Sequence, residues 1–211
     1  MGIGKKLYRV WYDLALVGIV ETFSILVYQT VQKRGVNVDA LMKDDNVHYL
    51  ILGVFWLILR PNVFIVLLPF GIYSVFHVLA YVNGYILPLY NLENSPISSK
   101  LAAFINNNNV KSVQIGSAIE LYSLIWLFLR VITIRKRSLV PFVVYVIFIK
   151  TRYEKIVFTR NHFKQLEIQI DKYVNQINVP VVKESWIQFK QVLNKVGQFR
   201  IVNDYTKEKA N

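Results

Sequence analysis

The sequence predicts an all-α membrane protein with about four transmembrane helices, including short-armed helical hairpins, plus a C-terminal pair of amphipathic helices. Of the 211 residues, 54% are hydrophobic and 18% are charged, whereas soluble domains carry roughly 25% charged residues. The apolar residues gather into long uncharged runs between residues 10 and 149. The remaining residues, 150–211, are rich in charge and carry apolar positions at helical spacing.

Five apolar segments are candidates for membrane spans. A helix needs roughly 20 apolar residues to cross a hydrocarbon core about 30 Å thick. The segments cover residues 10–31, 47–59, 63–82, 115–134 and 139–149. The second and the fifth are short for a relaxed crossing. We therefore expect a membrane domain over residues 1–149, followed by a basic amphipathic cytoplasmic tail over residues 150–211.

Two short basic breaks, at residues 60–62 and 135–138, each separate two neighbouring apolar segments. Proline and clustered charge are unfavourable in hydrocarbon, so each break should face water or lipid headgroups. Each pair of segments then forms a helical hairpin with one short arm. The alternative is a set of ordinary spans whose flanking cations reach the interface. The expected turn residues are Arg60, Pro61, Arg135, Lys136 and Arg137.

The connection over residues 83–114 is rich in asparagine and serine, which is typical of a flexible loop. It holds two lysines and no arginine, so the positive-inside rule places it in the lumen. The same rule places the N-terminus, both basic breaks and the tail in the cytoplasm. Four crossings satisfy this arrangement if the fifth segment dips in and returns, or lies in the interface. A full crossing would place the tail in the lumen.

The tail predicts two amphipathic helices. Apolar residues recur at helical spacing from Ile156 to Ile177, Pro180 breaks the pattern, and a second helix is expected to begin near Ser185. Its apolar face carries Trp186, Phe189, Leu193 and Val196, and another face carries Lys183 and Lys190. Such a helix can lie in the membrane interface. Packing of the tail helices on each other or on a partner protein is the alternative.

The formal net charge of +12 suggests either nucleic acid or a membrane surface as partner. Because lysine and arginine flank the apolar runs, we expect the lipid bilayer and its anionic headgroups as partners and no direct contact with nucleic acid. The chain has no cysteine, which excludes disulfides and thiolate metal sites.

Charged residues also lie inside the apolar runs. Asp13, Glu21 and Glu120 are costly there and could be functional, and Arg130 could pair with Glu21. This set supports an alternative function as a small transporter or channel subunit.

Two histidines, His48 and His77, would lie at similar depth if the helices fold back at Pro61. No third ligand with suitable spacing is visible, so hydrogen bonding is favoured over a metal site. No phosphate-binding loop or hydrolase motif occurs. We therefore expect no catalytic residues, no enzyme activity and no cofactor.

Residues 45–50 resemble the start of a helix in the transmembrane protein 33 family. They read Asp-Asn-Val-His-Tyr-Leu and include His48 and Tyr49. Three further sets of residues match that family. They are Pro69, Ser74, His77 and Tyr81 in the next helix; Pro141, Phe142, Tyr145, Arg152 and Tyr153 in its last apolar segment and exit; and Arg160, Asn161, Phe163, Leu166 and Glu167 at the start of its tail helix. The resemblance covers roughly residues 40–175.

The resemblance implies a protein of the endoplasmic reticulum membrane and nuclear envelope. Fungal members are pore-membrane proteins linked to the biogenesis and distribution of nuclear pore complexes, and their C-terminal amphipathic helix is tied to membrane binding and an importin-type factor. Animal members are associated with reticulons and tubular membrane shape. The resemblance thus implies nucleoporins, an importin-type transport factor or reticulon-like proteins as partners. We interpret the chain as a non-enzymatic organiser of membrane. The transporter subunit and a membrane-anchored adaptor are the alternatives.

Overall fold

The structure, a computed structural model, describes residues 3–135, 138–177 and 179–202, and every regular element in these ranges is a helix. The helices are α1 (Ile3–Arg34), α2 (Val38–Met42), α3 (Asp45–Leu59), α4 (Leu68–Tyr81), α5 (Leu87–Leu89), α6 (Pro96–Ile132), α7 (Leu139–Lys155), α8 (Val157–Gln176) and α9 (Pro180–Gln198). A 3₁₀ turn, Phe64–Leu67, leads into α4, and a π turn, Val82–Ile86, joins α4 to α5. The predicted all-α class is confirmed.

Three helical stretches of the described chain are long and apolar enough to cross a membrane: Lys6–Lys33, Phe64–Leu89 and Pro96–Ile132. The shorter α3 is also apolar. Together they agree with the expected number of about four spans. The 17-residue α7 runs alongside them and carries the fifth apolar segment.

The helices run between two ends of one bundle. Near one end, Arg60 pairs with Asp13 at 3.7 Å, which places the first residue of the first basic break beside the N-terminal half of α1. Near the other end, Phe23 of α1 stacks on Tyr49 of α3 with ring centroids 5.3 Å apart. We call the first the turn end and the second, where α3 begins and α7 finishes, the tail end. The 15 residues of α3 span about 22 Å at 1.5 Å per residue.

Large aromatic and aliphatic side chains fill the centre of the bundle. Trp56 of α3 is fully buried and stacks on Tyr145 of α7, with ring centroids 5.8 Å apart. The other fully or almost fully buried members include Tyr12, Leu16, Phe23, Phe70 and Leu127. Thus α3 lies between α1 and α7, while α4 lies mainly against α6.

The first basic break forms a tight turn. Arg60 and Asn62 both have positive φ, 44° and 51°, and the Arg60 backbone N–H donates to the Trp56 carbonyl at 2.9 Å to end α3. Pro61 cannot continue a helix, and the Asn62 side-chain amide donates to the Arg60 carbonyl at 2.8 Å. The two arms contact each other through aromatic side chains such as Tyr49 and Phe70, 5.5 Å apart.

The second basic break, like the first, lies at a turn that contains a residue with positive φ. The last turn of α6 is followed by Ile134 with a positive φ of 50° and then by Arg135. The expected turn residues Lys136 and Arg137 lie outside the described residues. On either side of the break, α6 and α7 pack together, with the rings of Phe128 and Phe142 5.7 Å apart.

The predicted loop over residues 83–114 is wrong, because most of it is helical. Ser95 caps α6 by accepting a hydrogen bond from the Ser98 backbone N–H at 3.2 Å, and Pro96 occupies the first turn, where its missing N–H costs nothing. The asparagine run then continues as helix, since weak local propensity yields to the packing of α6 on α4 and α8.

Two expectations for the C-terminal part are also wrong. The last helix begins at Pro180 rather than near Ser185, again because proline suits a first helical turn. The fifth segment neither dips and returns nor lies apart from the bundle: α7 runs unbroken to Lys155, which contacts Asp45 at the tail end, and it packs against α3 and α6. The tail therefore lies at the same end as the connection over residues 90–95, and His162 of α8 bonds the Gln114 carbonyl at 3.1 Å.

Candidate functional site

A buried carboxylate of α6 is the centre of the candidate site. Glu120 has no exposed surface. One of its oxygens accepts a hydrogen bond from the Tyr49 hydroxyl and lies 3.4 Å from the Tyr73 hydroxyl. Its other oxygen accepts from Nε of Arg152 at 3.2 Å. Helices α3, α4 and α7 therefore all supply a partner to this one group on α6.

Arg152 extends the network toward the tail end. This α7 side chain is 3% exposed, pairs with Asp45 at 3.4 Å, and lies over the Tyr49 ring, 5.3 Å from its centroid. Lys155, one turn later, also pairs with Asp45 and donates to the Lys43 carbonyl. We call Asp45, Tyr49, Glu120, Arg152 and Lys155 the ionic network.

The network fixes how the helices fit together. A buried charge costs several kcal/mol unless it is paired and hydrogen-bonded, so α6 and α7 must stay in the register that joins Glu120 to Arg152. The Tyr145 hydroxyl adds a hydrogen bond to the Glu120 carbonyl at 3.2 Å. The arrangement is suited to holding helices together rather than to chemistry on a substrate.

A glycine lets α4 approach α6 beside Glu120. A Cβ atom placed on Gly116 would lie 2.2 Å from the Tyr73 hydroxyl oxygen, far inside van der Waals contact. Because glycine has no Cβ, the Tyr73 side chain can lie across α6 at this point. Gly116 therefore allows Tyr73 to reach Glu120.

The C-terminal part of α7 also holds α9 and the residues that directly follow it. Lys150 and Glu154 pair at 3.0 Å, and the Lys150 ammonium donates to the Gly197 carbonyl at 3.2 Å. The fully buried Glu154 carboxylate accepts from the backbone N–H groups of Ile201, at 3.0 Å, and Val202, at 2.7 Å. Residues 150–155 thus join the helix bundle to the end of α9.

Helix α9 is attached to α8 through its polar edge. The Trp186 indole N–H and the Lys190 ammonium donate to the Asp171 carboxylate at 2.5 and 2.9 Å, and Lys190 lies 3.7 Å from Glu167. Hydrogen bonds from Lys190 and Trp186 hold the pKa of Asp171 below its usual value.

The rest of the apolar face of α9 stays exposed. Phe189, Leu193 and Val196 are 51%, 45% and 49% exposed. Trp186 is only partly exposed because it lies against α8, and Lys183 is also partly exposed. The predicted tail residues therefore fall into two groups. Trp186 and Lys190 bind α8, whereas Phe189, Leu193 and Val196 form an open apolar surface.

A family model described as Transmembrane protein 33/Nucleoporin POM33 matches residues 3–198. The chain belongs to this family. It is 31% identical to the Pore membrane protein of 33 kDa of Saccharomyces cerevisiae, over 93% of this chain and 77% of the relative. It is 29% identical to the Nucleoporin POM33 of Chaetomium thermophilum, over 94% of this chain and 77% of the relative.

Tetra-spanning protein 1 of Schizosaccharomyces pombe is 34% identical over 74% of this chain and 59% of its own length. No solved structure matches the chain.

The structure brings together several positions that carried the resemblance to the transmembrane protein 33 family. Tyr49 and Arg152, together with Asp45, belong to the ionic network, and Tyr145 bonds the backbone of Glu120. Sequence spacing matched these positions to the family without showing that they meet.

The other family positions are spread over the bundle. Nε2 of His48 lies 2.7 Å from the Met42 carbonyl oxygen, as the hydrogen-bonding interpretation expected. Pro69 and Pro141 are buried in the first turns of α4 and α7. Ser74 lines an apolar groove between α1 and α4, His77 lines a cavity with both polar and apolar walls, and the Tyr81 ring stacks on Tyr85 with centroids 5.1 Å apart.

The predicted pairing of Glu21 with Arg130 is wrong. Glu21 is exposed on α1, whereas Arg130 lies at the turn end, where Tyr8 and Tyr12 are its electrostatic neighbours. Within the described residues, no group of three or more potential metal ligands occurs.

Sequence reasoning missed the pair of Glu120 with Arg152. One signal could have revealed which way Glu120 points. Gly116, Ser117 and Ser123 lie three or four residues from it, and small residues mark the packed face of a membrane helix.

Proposed function

We propose that the chain is a non-enzymatic integral membrane protein of the endoplasmic reticulum and nuclear envelope. In this role it shapes or organises membrane and supports the biogenesis or distribution of nuclear pore complexes. Family membership supports this, because two of its relatives are named as a pore membrane protein and a nucleoporin. The observation that carries the proposal is the open apolar surface of α9.

This surface is suited to lipid. Its polar edge is held by Asp171 of α8, so the exposed side points away from the tail's own contacts. Large apolar side chains occupy one arc of the helix: Val181, Phe189, Val192, Leu193 and Val196. An exposed apolar arc bordered by lysines is characteristic of helices that lie in the membrane interface.

The short helices support a second effect on the membrane. Between the two ends of the bundle, α3 covers about 22 Å, whereas a relaxed hydrocarbon core is about 30 Å thick. A mismatch of this size costs a fraction of a kcal/mol per Å and is relieved by thinning of the surrounding bilayer. On the side of α3, the bundle would thus favour a thinner membrane, while three other helical stretches are long enough for a relaxed crossing. The tail would hold the protein there.

The proposal requires the tail end to face the cytoplasm or nucleoplasm. Most lysines and arginines of the described residues belong to segments at this end, including those of α8 and α9, and cytoplasmic segments are rich in these residues. A tail on that side can reach nucleoporins, an importin-type factor or reticulon-like proteins. If such a partner rather than lipid covers α9, the protein acts as an adaptor.

Single labelled cysteines test the role of α9, since the chain has none of its own. An environment-sensitive dye is attached at Leu193→Cys in the apolar arc, or at Ile187→Cys, which is 52% exposed but lies outside the arc. In liposomes containing the full chain, we expect a blue-shifted, brighter signal at 193 and a water-like signal at 187. Equal, water-like signals at both positions would contradict membrane binding by α9.

A cellular experiment tests the pore role. The double substitution Phe189→Glu with Leu193→Glu should lower the fraction of the protein at nuclear pores, while the control Ile187→Glu should leave it unchanged. If the double variant distributes as the wild type does, α9 does not direct the protein to pores.

A further inference from the structure

A cavity of about 490 Å³ lies at the tail end, among α3, α4, α6 and α7. Its lining includes Asp45 and Arg152 of the ionic network, together with Asn46, His77 and Asn109. Its volume falls within the range of ligand-binding pockets, roughly 300–1,000 Å³. His77 and Asn109 are exposed, so the cavity can be reached from outside the bundle.

The cavity lies at the level where two helices of the bundle, α3 and α7, have their polar ends. Asp45 is the first residue of α3, and Arg152 lies in the last turn of α7. The apolar parts of two helices therefore stop at the level of the cavity. On α6 the same level carries Asn109 and Ser112 within a polar stretch. A molecule that enters here from the membrane presents its headgroup rather than its acyl chains.

Several polar groups in the lining are available to a ligand. The side chains of Asn46, His77 and Asn109 make no hydrogen bond with another described residue. Arg152 uses Nε for Glu120 and one Nη for Asp45, and a guanidinium has five N–H donors. These amide and guanidinium donors suit phosphate oxygens.

The lining also carries groups that suit a cation. Phe23, Tyr73 and Phe76 supply aromatic rings, and Asp45 supplies a carboxylate that also pairs with Arg152 at 3.4 Å. Rings and a carboxylate together attract an ammonium group. One acidic and one basic side chain line the cavity, and their charges cancel. A ligand with balanced charge is therefore favoured over one with net negative charge.

We infer that this cavity binds the headgroup of a zwitterionic phospholipid, in which a phosphate diester is joined to an ammonium group. The phosphate lies toward the remaining N–H donors of Arg152 and the Asn109 amide, and the ammonium lies toward the aromatic rings. The inference requires a membrane-spanning bundle but not the proposed pore role. A bound lipid would fill the gap between helices that the ionic network holds in place.

Native mass spectrometry of the full chain in mild detergent tests this. Phosphatidylethanolamine, phosphatidylcholine and phosphatidylglycerol with identical acyl chains are titrated separately. We expect one molecule of either zwitterionic lipid to bind at least ten times more tightly than the anionic lipid. Equal or tighter binding of phosphatidylglycerol would overturn the inference.

A matched pair of variants locates the site. His77→Leu with Asn109→Leu removes two polar groups from the cavity and should reduce zwitterionic lipid binding about tenfold. Asn107→Leu changes an exposed asparagine of the same run that does not line the cavity, and it should bind like the wild type. Wild-type binding by the double variant, or an equal loss in the control, would overturn the site.

A second measurement does not depend on the variants folding. A phosphatidylethanolamine analogue with a photoreactive headgroup is cross-linked to the wild-type chain. Adducts are expected on peptides containing Asn46, His77 or Asn109. Adducts confined to peptides of the turn end would refute the assignment.

Discussion

Glu120→Ala should be among the most destabilising single substitutions in the membrane domain. It leaves Arg152, which is 3% exposed, without one of its two carboxylate partners. It also leaves the buried Tyr49 hydroxyl without its acceptor. Removing one partner of a buried ion pair costs about 3–5 kcal/mol. Because Asp45 remains 3.4 Å from Arg152, we expect the lower part of this range, about 3 kcal/mol.

Thermal unfolding of the full chain in detergent measures this cost. For a protein of about this length, each kcal/mol lowers Tm by roughly 2–4 °C, so a loss of about 3 kcal/mol lowers it by about 6–12 °C. The matched control is Glu21→Ala, which removes an exposed carboxylate and should change the free energy of unfolding by less than about 0.5 kcal/mol.

A double-mutant cycle separates the ion pair from other effects. Glu120→Leu and Arg152→Leu should each destabilise, whereas the double variant should cost clearly less than their sum, because neither charge is then left buried and unpaired. Two results would refute the reasoning: a Glu120→Ala shift no larger than that of Glu21→Ala, or fully additive losses in the cycle.

Two further predictions test the packing beside Glu120 and the attachment of α9. Gly116→Ala should lower the free energy of unfolding by about 1–3 kcal/mol, because its Cβ would overpack against Tyr73. The control Gly71→Ala, whose Cβ would meet nothing within 4 Å, should unfold at a temperature equal to or higher than that of the wild type. Equal Tm values for the two variants would contradict this prediction. The pKa of Asp171 is lowered in the folded state. The stabilisation that its carboxylate gives to the contact of α8 with α9 is therefore fully present above the ordinary carboxyl pKa of about 3.9, and it is lost as pH falls through the lower folded pKa. Distances between spin labels on α8 and α9 should therefore stay constant from about pH 8 to 5 and lengthen only in stronger acid, and lengthening that begins near neutral pH would mean that another group controls the contact.

The positions of the membrane helices could be predicted from sequence because they depend on local composition. Each of the five apolar segments lies mostly within a helix of the structure, and Pro61 marked the first turn correctly, since proline cannot continue a helix. The loop over residues 83–114 was wrong because asparagine has weak helix propensity by itself. In the structure, the cap at Ser95 and packing against α4 and α8 override that weak preference.

The ionic network could not be predicted in the same way. Glu120 and Arg152 are 32 positions apart, and their meeting depends on the register of α6 against α7. Charge alone suggested Glu21 and Arg130, but Glu21 faces outward and Arg130 lies at the turn end. For the same reason, the exposed α9 surface required the structure, because only there is Trp186 seen to bond Asp171.

The central claim is that the tail helices and the connection over residues 90–95 lie at one end of the bundle and that this end faces the cytoplasm. Cysteine labelling in sealed microsomes tests this claim most directly. Single substitutions are made at three exposed positions, Asn94→Cys, Lys172→Cys and Arg135→Cys. We expect an impermeant thiol reagent to label the first two from the cytoplasmic side and to reach the third only after the membrane is opened. Labelling of Asn94→Cys and Lys172→Cys from opposite sides would contradict the arrangement of α7 and α8, and protection of both would contradict the proposed pore role.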